Sequence, residues 1–109
     1  MDFNNIRQKI IDLLKNPKPH KVMVFGSYAH GKAHDESDVD LLVILDKKGI
    51  SSNYSEILEN KKNISKQLRE LRKTIPIDLL VYTKDEWMIL RNSESSFIKQ
   101  IEKEGIRLI

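Results

Sequence analysis

Residues 24–45 have the sequence VFGSYAHGKAHDESDVDLLVIL, in which two apolar segments enclose a polar loop. The pattern predicts a short buried strand, a Gly26-Ser27 turn that opens a brief helix, and a second strand that begins with two carboxylates. Because side chains alternate between the two faces of a strand, Asp38 and Asp40 should point to the same face. The two carboxylates are therefore placed to converge on one cation.

A cation is expected here because two carboxylates roughly 6–7 Å apart on one strand face repel each other. Magnesium fits this role, since it prefers oxygen ligands and is commonly held by one or two carboxylates together with substrate phosphates. Gly26 lets a phosphate approach the backbone, Ser27 can donate a hydroxyl hydrogen bond, and a helix N-terminus presents N–H groups to anions. We therefore expect a metal site and a phosphate site side by side.

A third carboxylate lies in residues 75–82, which have the otherwise apolar sequence IPIDLLVY. Pro76 cannot donate a hydrogen bond to a sheet, so it belongs at the start of this strand. Asp78 would be costly in a buried strand unless it is paired, hydrogen-bonded or bound to a metal. Beside Asp38 and Asp40, the interpretation as a third metal ligand is favoured over a structural ion pair.

The Gly26-Ser27 pair, the Asp38-Val39-Asp40 motif and the apolar strand after it resemble the signature of the DNA polymerase beta-like nucleotidyltransferase superfamily, most closely its minimal nucleotidyltransferase branch. The resemblance covers nearly the whole chain. It implies an α/β fold with a small mixed sheet flanked by helices, mainly on one face, and a site on the open face.

The same resemblance implies a set of site residues and cofactors. Gly26 and Ser27 would bind the triphosphate of ATP, and Asp38, Asp40 and Asp78 would be the catalytic residues and the ligands of two Mg²⁺ ions. His30 stands where relatives often carry arginine, and we include it as a nucleotide contact although a histidine is mostly neutral at pH 7.

Small chains of this branch resemble the antitoxin half of HEPN–MNT pairs, which neutralise a HEPN ribonuclease by transferring AMP to one of its tyrosines. The resemblance thus implies transfer of a nucleoside monophosphate to a hydroxyl group and a HEPN-type protein partner. Nothing in the residue spacing itself indicates a toxin.

Length and composition fit one compact domain over residues 1–109, with 39% hydrophobic residues and no separate substrate domain. The net charge of +3 fits a nucleotide substrate and is too small to predict nucleic-acid binding. The absence of cysteine excludes disulfides and zinc–thiolate sites. With no signal peptide and no membrane-spanning run, we expect a cytoplasmic protein. The acceptor would be defined by a partner, a second copy of the chain or another macromolecule.

Apolar spacing predicts further helices over residues 3–14, 54–73 and 93–103, and a final edge strand over 106–109. A short helix is expected to open with Asp85, Glu86 and Trp87, with Thr83 as its N-cap. The buried stripe of the second helix is expected to comprise Ile57, Ile64, Leu68 and Leu71. Its outer face is basic and is interpreted as a solvated surface or as a docking surface for RNA or a protein; it comprises Lys61, Lys62, Lys66, Arg69, Arg72 and Lys73. Trp87 is expected in the core rather than beside a nucleobase.

Three other functions are compatible with parts of the sequence. A non-catalytic binding module could keep the fold, although three retained carboxylates argue against it. Small-molecule nucleotidyltransferases resemble this chain but carry an additional substrate domain. A phosphatase or glycosyltransferase could use the aspartate pair; however, aspartate phosphatases place a threonine soon after the pair, where this chain has Leu41-Leu42. Neither of these last two classes explains the Gly26-Ser27 turn.

Overall fold

A computed structural model describes residues 3–15, 18–31 and 38–109. The elements in these ranges are α1 (Phe3–Leu13), β1 (Lys21–Phe25), β2 (Val39–Leu45), α2 (Tyr54–Gln67), α3 (Arg69–Arg72), β3 (Ile77–Thr83), α4 (Lys84–Asn92), α5 (Ser96–Glu104) and β4 (Ile106–Arg107). None of the described helices combines the length and the apolar character that crossing a bilayer requires.

The four strands form one mixed sheet in the order β3-β2-β1-β4. β1 runs antiparallel to both β2 and β4, whereas β2 and β3 are parallel. A parallel pair needs a long crossover, and here α2 and α3 provide it. The predicted mixed sheet is therefore confirmed, with β1 and β2 at its centre and the short C-terminal strand at one edge.

Helices cover both faces of the sheet, which corrects the expectation of helices mainly on one face. On the first face, α1, α2 and α3 pack against a core that includes Val22, Val24, Leu41, Val43 and Leu79. On the second face, α4 and α5 enclose a smaller core of Met23, Leu42, Ile44, Trp87, Ile98 and Ile101. Because both faces are covered, β2 is apolar at nearly every position rather than alternating.

The predicted long helix over residues 54–73 is divided in two at Leu68. The backbone there (φ −94°, ψ 6°) leaves the helical region, and the Leu68 N–H donates to the carbonyl oxygens of Ile64 and Lys66. Its buried stripe also begins later than expected. Ile57 is 45% exposed, while Asn60 faces inward and donates through its side-chain amide to the Ser51 hydroxyl (3.4 Å).

Trp87 packs in the second core, as expected, where it is buried and its ring stacks on Tyr82 with the ring centroids 6.4 Å apart. α4 begins directly after β3, and the fully buried Thr83 is its N-cap. The Thr83 hydroxyl accepts from the Glu86 N–H (3.1 Å) and donates to the Gly49 carbonyl (2.7 Å). The Glu86 carboxylate accepts from the backbone N–H groups of Thr83 and Ser51. This capping box therefore also holds the loop that follows β2.

We predict that Thr83→Val lowers the free energy of unfolding by about 1–2 kcal/mol, because it removes a helix cap and the hydrogen bond that the Thr83 hydroxyl donates to the Gly49 carbonyl. Thr83→Ser keeps the hydroxyl and is the matched control, with a smaller loss from the missing methyl group. Urea unfolding of the two variants measures the difference. A Thr83→Val variant as stable as the wild-type protein would show that the hydroxyl contributes nothing.

Candidate active site

The strand register brings the sequence-predicted carboxylates to one end of the sheet. Asp40 on β2 lies directly between Phe25 on β1 and Asp78 on β3, and neighbouring strands are ~4.8 Å apart. Asp38 precedes β2 by one residue and is exposed, as is Asp78, whereas Asp40 is half-buried. Alternation places Asp40 on the face covered by α4 and α5, together with Leu42.

Asp40 is the electrostatic centre of this group. Partial burial, and then the negative charges of Asp78 and Asp38, raise the pKa of the Asp40 carboxyl above its ordinary value. The negative charges of Asp78 and Asp38 therefore each repel the Asp40 carboxylate. As the side chains stand, no three His, Asp or Glu residues among residues 3–15, 18–31 and 38–109 form a ready metal cluster. The donor chemistry nevertheless suits a hard divalent cation, because all three groups are carboxylates.

Gly26 is required by its contact with Asp40. It follows β1 with φ +73°, a left-handed conformation that favours glycine. A Cβ atom at this position would lie 2.1 Å from Asp40 Oδ2, so any side chain would displace the carboxylate. The glycine thus lets the Asp40 carboxylate lie directly against the turn backbone.

The Gly26-Ser27 turn does not open a helix within the described residues, which corrects the prediction. Residues 26–31 form a hydrogen-bonded turn, in which the N–H of His30 donates to the Gly26 carbonyl (3.1 Å). Gly31, the last described residue of this segment, adopts φ +69°. The segment that follows, residues 32–37, lies outside the described part. Backbone groups of the turn and the exposed Ser27 hydroxyl therefore remain as the phosphate-binding candidates among the described residues.

α5 contributes side chains to the site, and these side chains were not predicted from the sequence. A cleft of about 190 Å³ opens beside Asp40 and Gly26, and its other wall is formed by one face of α5, with Phe97, Gln100, Ile101 and Glu104. The ring of Phe97 packs edge-on against Phe25, with the centroids 5.7 Å apart. The three- and four-residue spacing of these α5 side chains predicts that they share one face of the helix. The sequence does not show which part of the sheet that face covers.

His30 is held by α5 rather than left free for a phosphate. Its Nε2 atom lies 3.1 Å from the Glu104 carboxylate, and both side chains are partly exposed. Gly105 lets the end of α5 lie close against β1, because a Cβ atom there would lie 2.5 Å from the Ile101 carbonyl oxygen and 2.8 Å from the Met23 side chain. The predicted nucleotide contact of His30 stays a prediction, and it would require His30 to bind a phosphate beside an acidic partner.

The fold and this site define a class of protein. The chain belongs to the family described as polymerase beta, nucleotidyltransferase, whose model matches residues 8–109. It is a nucleotidyltransferase, as the Gly26-Ser27 turn and the aspartate pair predict.

Comparison with individual proteins shows which nucleotidyltransferases this chain is similar to. The chain is 28% identical over 101 residues to a Methanocaldococcus jannaschii protein named "Putative protein adenylyltransferase MJ0141", covering 93% of this chain and 90% of that protein. It is also similar to a chain in the crystal structure of a toxin–antitoxin with AMP-PNP, at 25% identity and a TM-score of 0.57, covering 94% of this chain and 72% of the other. A mutant of the toxin–antitoxin MntA-HpeT shares the fold at 23% identity and a TM-score of 0.56, over the same shares of the two chains.

Gly26→Ala should separate the function of the site from the stability of the fold. Alanine at a left-handed position costs about 1–2 kcal/mol. We therefore expect a similar loss of stability for Gly26→Ala and for the control Gly31→Ala, which has a similar φ and no atom of the described residues within 4 Å of an added Cβ. Only Gly26→Ala displaces the Asp40 carboxylate, so only this variant should lose nucleotidyl transfer. Urea unfolding and a transfer assay measure the two effects, and full transfer by Gly26→Ala would contradict the assigned contact.

Asp40→Asn should stabilise the metal-free protein at neutral pH. Because the folded-state pKa of Asp40 is raised, its contribution to stability falls as pH rises from its ordinary pKa through the raised value. The gain from asparagine should therefore be present at pH 7 and absent below the ordinary aspartate pKa.

The control for this prediction is Asp46→Asn, whose effect should have the opposite sign. The Lys84 ammonium bonds the Asp46 carboxylate and lowers its pKa, so this ion pair adds stability above the ordinary pKa and loses it as pH falls. Urea unfolding in EDTA at both pH values tests the two variants. Equal shifts in both variants would show that general charge, not the local environment, sets the effect.

Proposed function

We propose that this chain is a Mg²⁺-dependent adenylyltransferase that transfers AMP from ATP to a hydroxyl group of a protein partner. The observation that carries the proposal is the placement of Asp40, whose carboxylate lies beside Asp78 in register and directly against Gly26. This arrangement puts candidate metal ligands and a candidate phosphate turn next to each other. The name of the Methanocaldococcus jannaschii relative supports adenylyl transfer to a protein.

In the proposed reaction, Asp38, Asp40 and Asp78 would hold two Mg²⁺ ions. Bound magnesium would neutralise phosphate charge and lower the pKa of the acceptor hydroxyl. The backbone of Gly26 and the Ser27 hydroxyl would hold the β- and γ-phosphates, so that the α-phosphorus faces the acceptor. Phosphoryl-type transfer depends mainly on such positioning and charge neutralisation.

The proposed transfer needs no reactant besides ATP and the acceptor hydroxyl. The acceptor oxygen forms a bond to the α-phosphorus, the bond from that phosphorus to the β-bridging oxygen breaks, and pyrophosphate leaves. The hydroxyl proton goes to a carboxylate, for which Asp78 is suited because it lies at the exposed edge of the sheet and can contact an incoming acceptor.

We further propose that the acceptor is a toxin of the HEPN ribonuclease class and that this chain is its antitoxin. The similarity to a chain of a toxin–antitoxin crystal structure with AMP-PNP supports a protein partner and an adenine nucleotide. The HEPN class of the partner comes from the resemblance to the minimal nucleotidyltransferase branch. Because the reaction consumes ATP, we propose that it takes place in the cytoplasm.

A second candidate function is a non-catalytic module that binds its partner without modifying it. The contact of His30 with Glu104 favours this candidate, since it occupies the side chain at the position where the family resemblance implies a phosphate-binding arginine. The two candidates differ in whether the partner gains mass.

The proposed reaction predicts that Asp38→Asn, Asp40→Asn and Asp78→Asn each abolish Mg²⁺-dependent transfer while the fold is retained. The assay incubates the protein with α-labelled ATP and Mg²⁺, alone and with the product of the adjacent gene, and measures AMP on either protein by intact mass. Asp12→Asn is the control, because Asp12 is an exposed aspartate on α1, where it pairs with Lys15.

Each outcome of this assay has a separate meaning. AMP that appears on the partner with wild type and Asp12→Asn, but with none of the three site variants, supports the proposed reaction. AMP transfer retained by Asp78→Asn would remove Asp78 from the ligand set. ATP binding and partner binding without any gain of mass would favour the non-catalytic module.

A further inference from the structure

The strongest charge asymmetry of the molecule lies on the surface formed by α2 and α3. Residues 61–73 contain six Lys or Arg and one Glu, whereas the rest of the chain has 13 basic and 15 acidic residues. The positive excess of the whole chain therefore comes from this one segment. We define the basic surface as the residues that line its concave centre, Lys62, Ser65, Lys66, Arg69, Arg72 and Lys73.

The basic surface is a shallow, open depression and is partly preorganised. The depression has a volume of about 440 Å³, and its lining contains no carboxylate. Arg72 is held by a hydrogen bond from its Nη1 to the Ser65 hydroxyl (2.5 Å), which fixes part of the guanidinium. Glu70 pairs with Lys73 (3.1 Å) at the margin. A guanidinium group can bind a carboxylate through two parallel hydrogen bonds. The arginine side chain loses less conformational entropy on binding when it is already held in position.

Exposed apolar side chains continue the basic surface along α2. Tyr54 and Leu58 lie two turns and one turn before Lys62, and the four-residue spacing places all three on one face of the helix. Tyr54 is 72% exposed and Leu58 is 47% exposed. The helix therefore presents an apolar half followed by a basic half, a pattern that a solvated helix face does not need.

From this pattern we propose that the α2–α3 surface docks an acidic protein segment with apolar side chains, which is the partner that carries the acceptor hydroxyl. A protein fits better than RNA for two reasons. The apolar half includes the aliphatic Leu58, and aromatic residues do not alternate with the basic ones, as base stacking would require. Acidic groups of the partner would face Arg69 and Arg72, while its apolar groups would cover Tyr54 and Leu58.

The location of this surface suits delivery of an acceptor to the site. α2 packs along β3, which is an edge strand of the sheet. The chain leaves α3 toward Pro76, whose carbonyl accepts from the Val39 N–H (2.9 Å) at the site end of the sheet. A partner docked on α2 and α3 would need to reach only around the β3 edge to contact the exposed Asp78. The role as acceptor rests on the proposed function, whereas the docking itself does not require catalysis.

Binding without nucleotide or metal tests the docking surface separately from the chemistry. The probes are two fluorescent ligands of equal negative charge, a helical peptide made of glutamate and leucine and an oligouridylate. Their affinities for the full chain are measured by fluorescence anisotropy in EDTA. We expect the wild-type protein to bind the peptide more tightly than the RNA.

Two variants and one control locate the binding. Arg69→Glu/Arg72→Glu should weaken peptide binding by about tenfold or more, and Tyr54→Ser/Leu58→Ser should weaken peptide binding while leaving RNA binding unchanged. Lys9→Glu/Lys99→Glu changes the net charge equally at exposed positions on α1 and α5 and should have little effect. Circular dichroism and urea unfolding establish that each variant is folded.

Other results would overturn the inference. Equal weakening by the Lys9/Lys99 control would show that only net charge matters. Tighter binding of the RNA, with no effect of Tyr54→Ser/Leu58→Ser, would assign the surface to nucleic acid. Absence of peptide binding would remove the docking surface altogether. Failure of the proposed adenylyl transfer would leave all of these affinities unchanged, so the two proposals fail separately.

Discussion

Repulsion among three carboxylates at one end of a small sheet is the constraint on which the rest of the site depends. The parallel pairing of β2 with β3 places Asp40 beside Asp78, and burial together with these neighbours raises the pKa of Asp40. A stable fold has to tolerate this concentration of charge. It does so because Asp38 and Asp78 are exposed to solvent and Asp40 is only half-buried.

The glycine turn and α5 are arranged around the same group. The Asp40 carboxylate lies directly against the backbone of Gly26. Any other residue type at position 26 would move that carboxylate. α5 closes the other side of the cleft, and the antiparallel pairing of β4 with β1 fixes its end, since Val24 is paired with Ile106. The shape of the cleft thus depends on a two-residue strand that is far from the aspartates in sequence.

Much of the fold and of the site can be predicted from the sequence, because the signals are local. Apolar strands, the Pro76 strand start, the Thr83 cap and the three aspartates each follow from residue type and spacing, and the mixed sheet is confirmed. Tertiary placement is harder to predict. The wall formed by Phe97 and Glu104 depends on which part of the sheet α5 covers, and periodicity carries no such information.

Local predictions also failed where tertiary contacts compete with them. The Gly26-Ser27 turn resembles a helix start in sequence, yet the described residues 26–31 form a turn rather than a helix. Ile57 fits the apolar stripe of α2, but Asn60 takes the inward position because the loop hydroxyl of Ser51 gives its amide a partner. At Asn60, a contact outside the helix outweighs the helical pattern.

The position of Asp78 on an edge strand has a further consequence for the behaviour of the protein in concentrated solution. In the part of the chain that the structure describes, β3 has no partner strand on its outer side, so its seven residues offer free hydrogen-bonding groups to another chain. Such edges promote aggregation unless charged residues interrupt them. Asp78 is the charged residue within this strand. The carboxylate assigned to the chemistry therefore also discourages uncontrolled strand pairing between molecules.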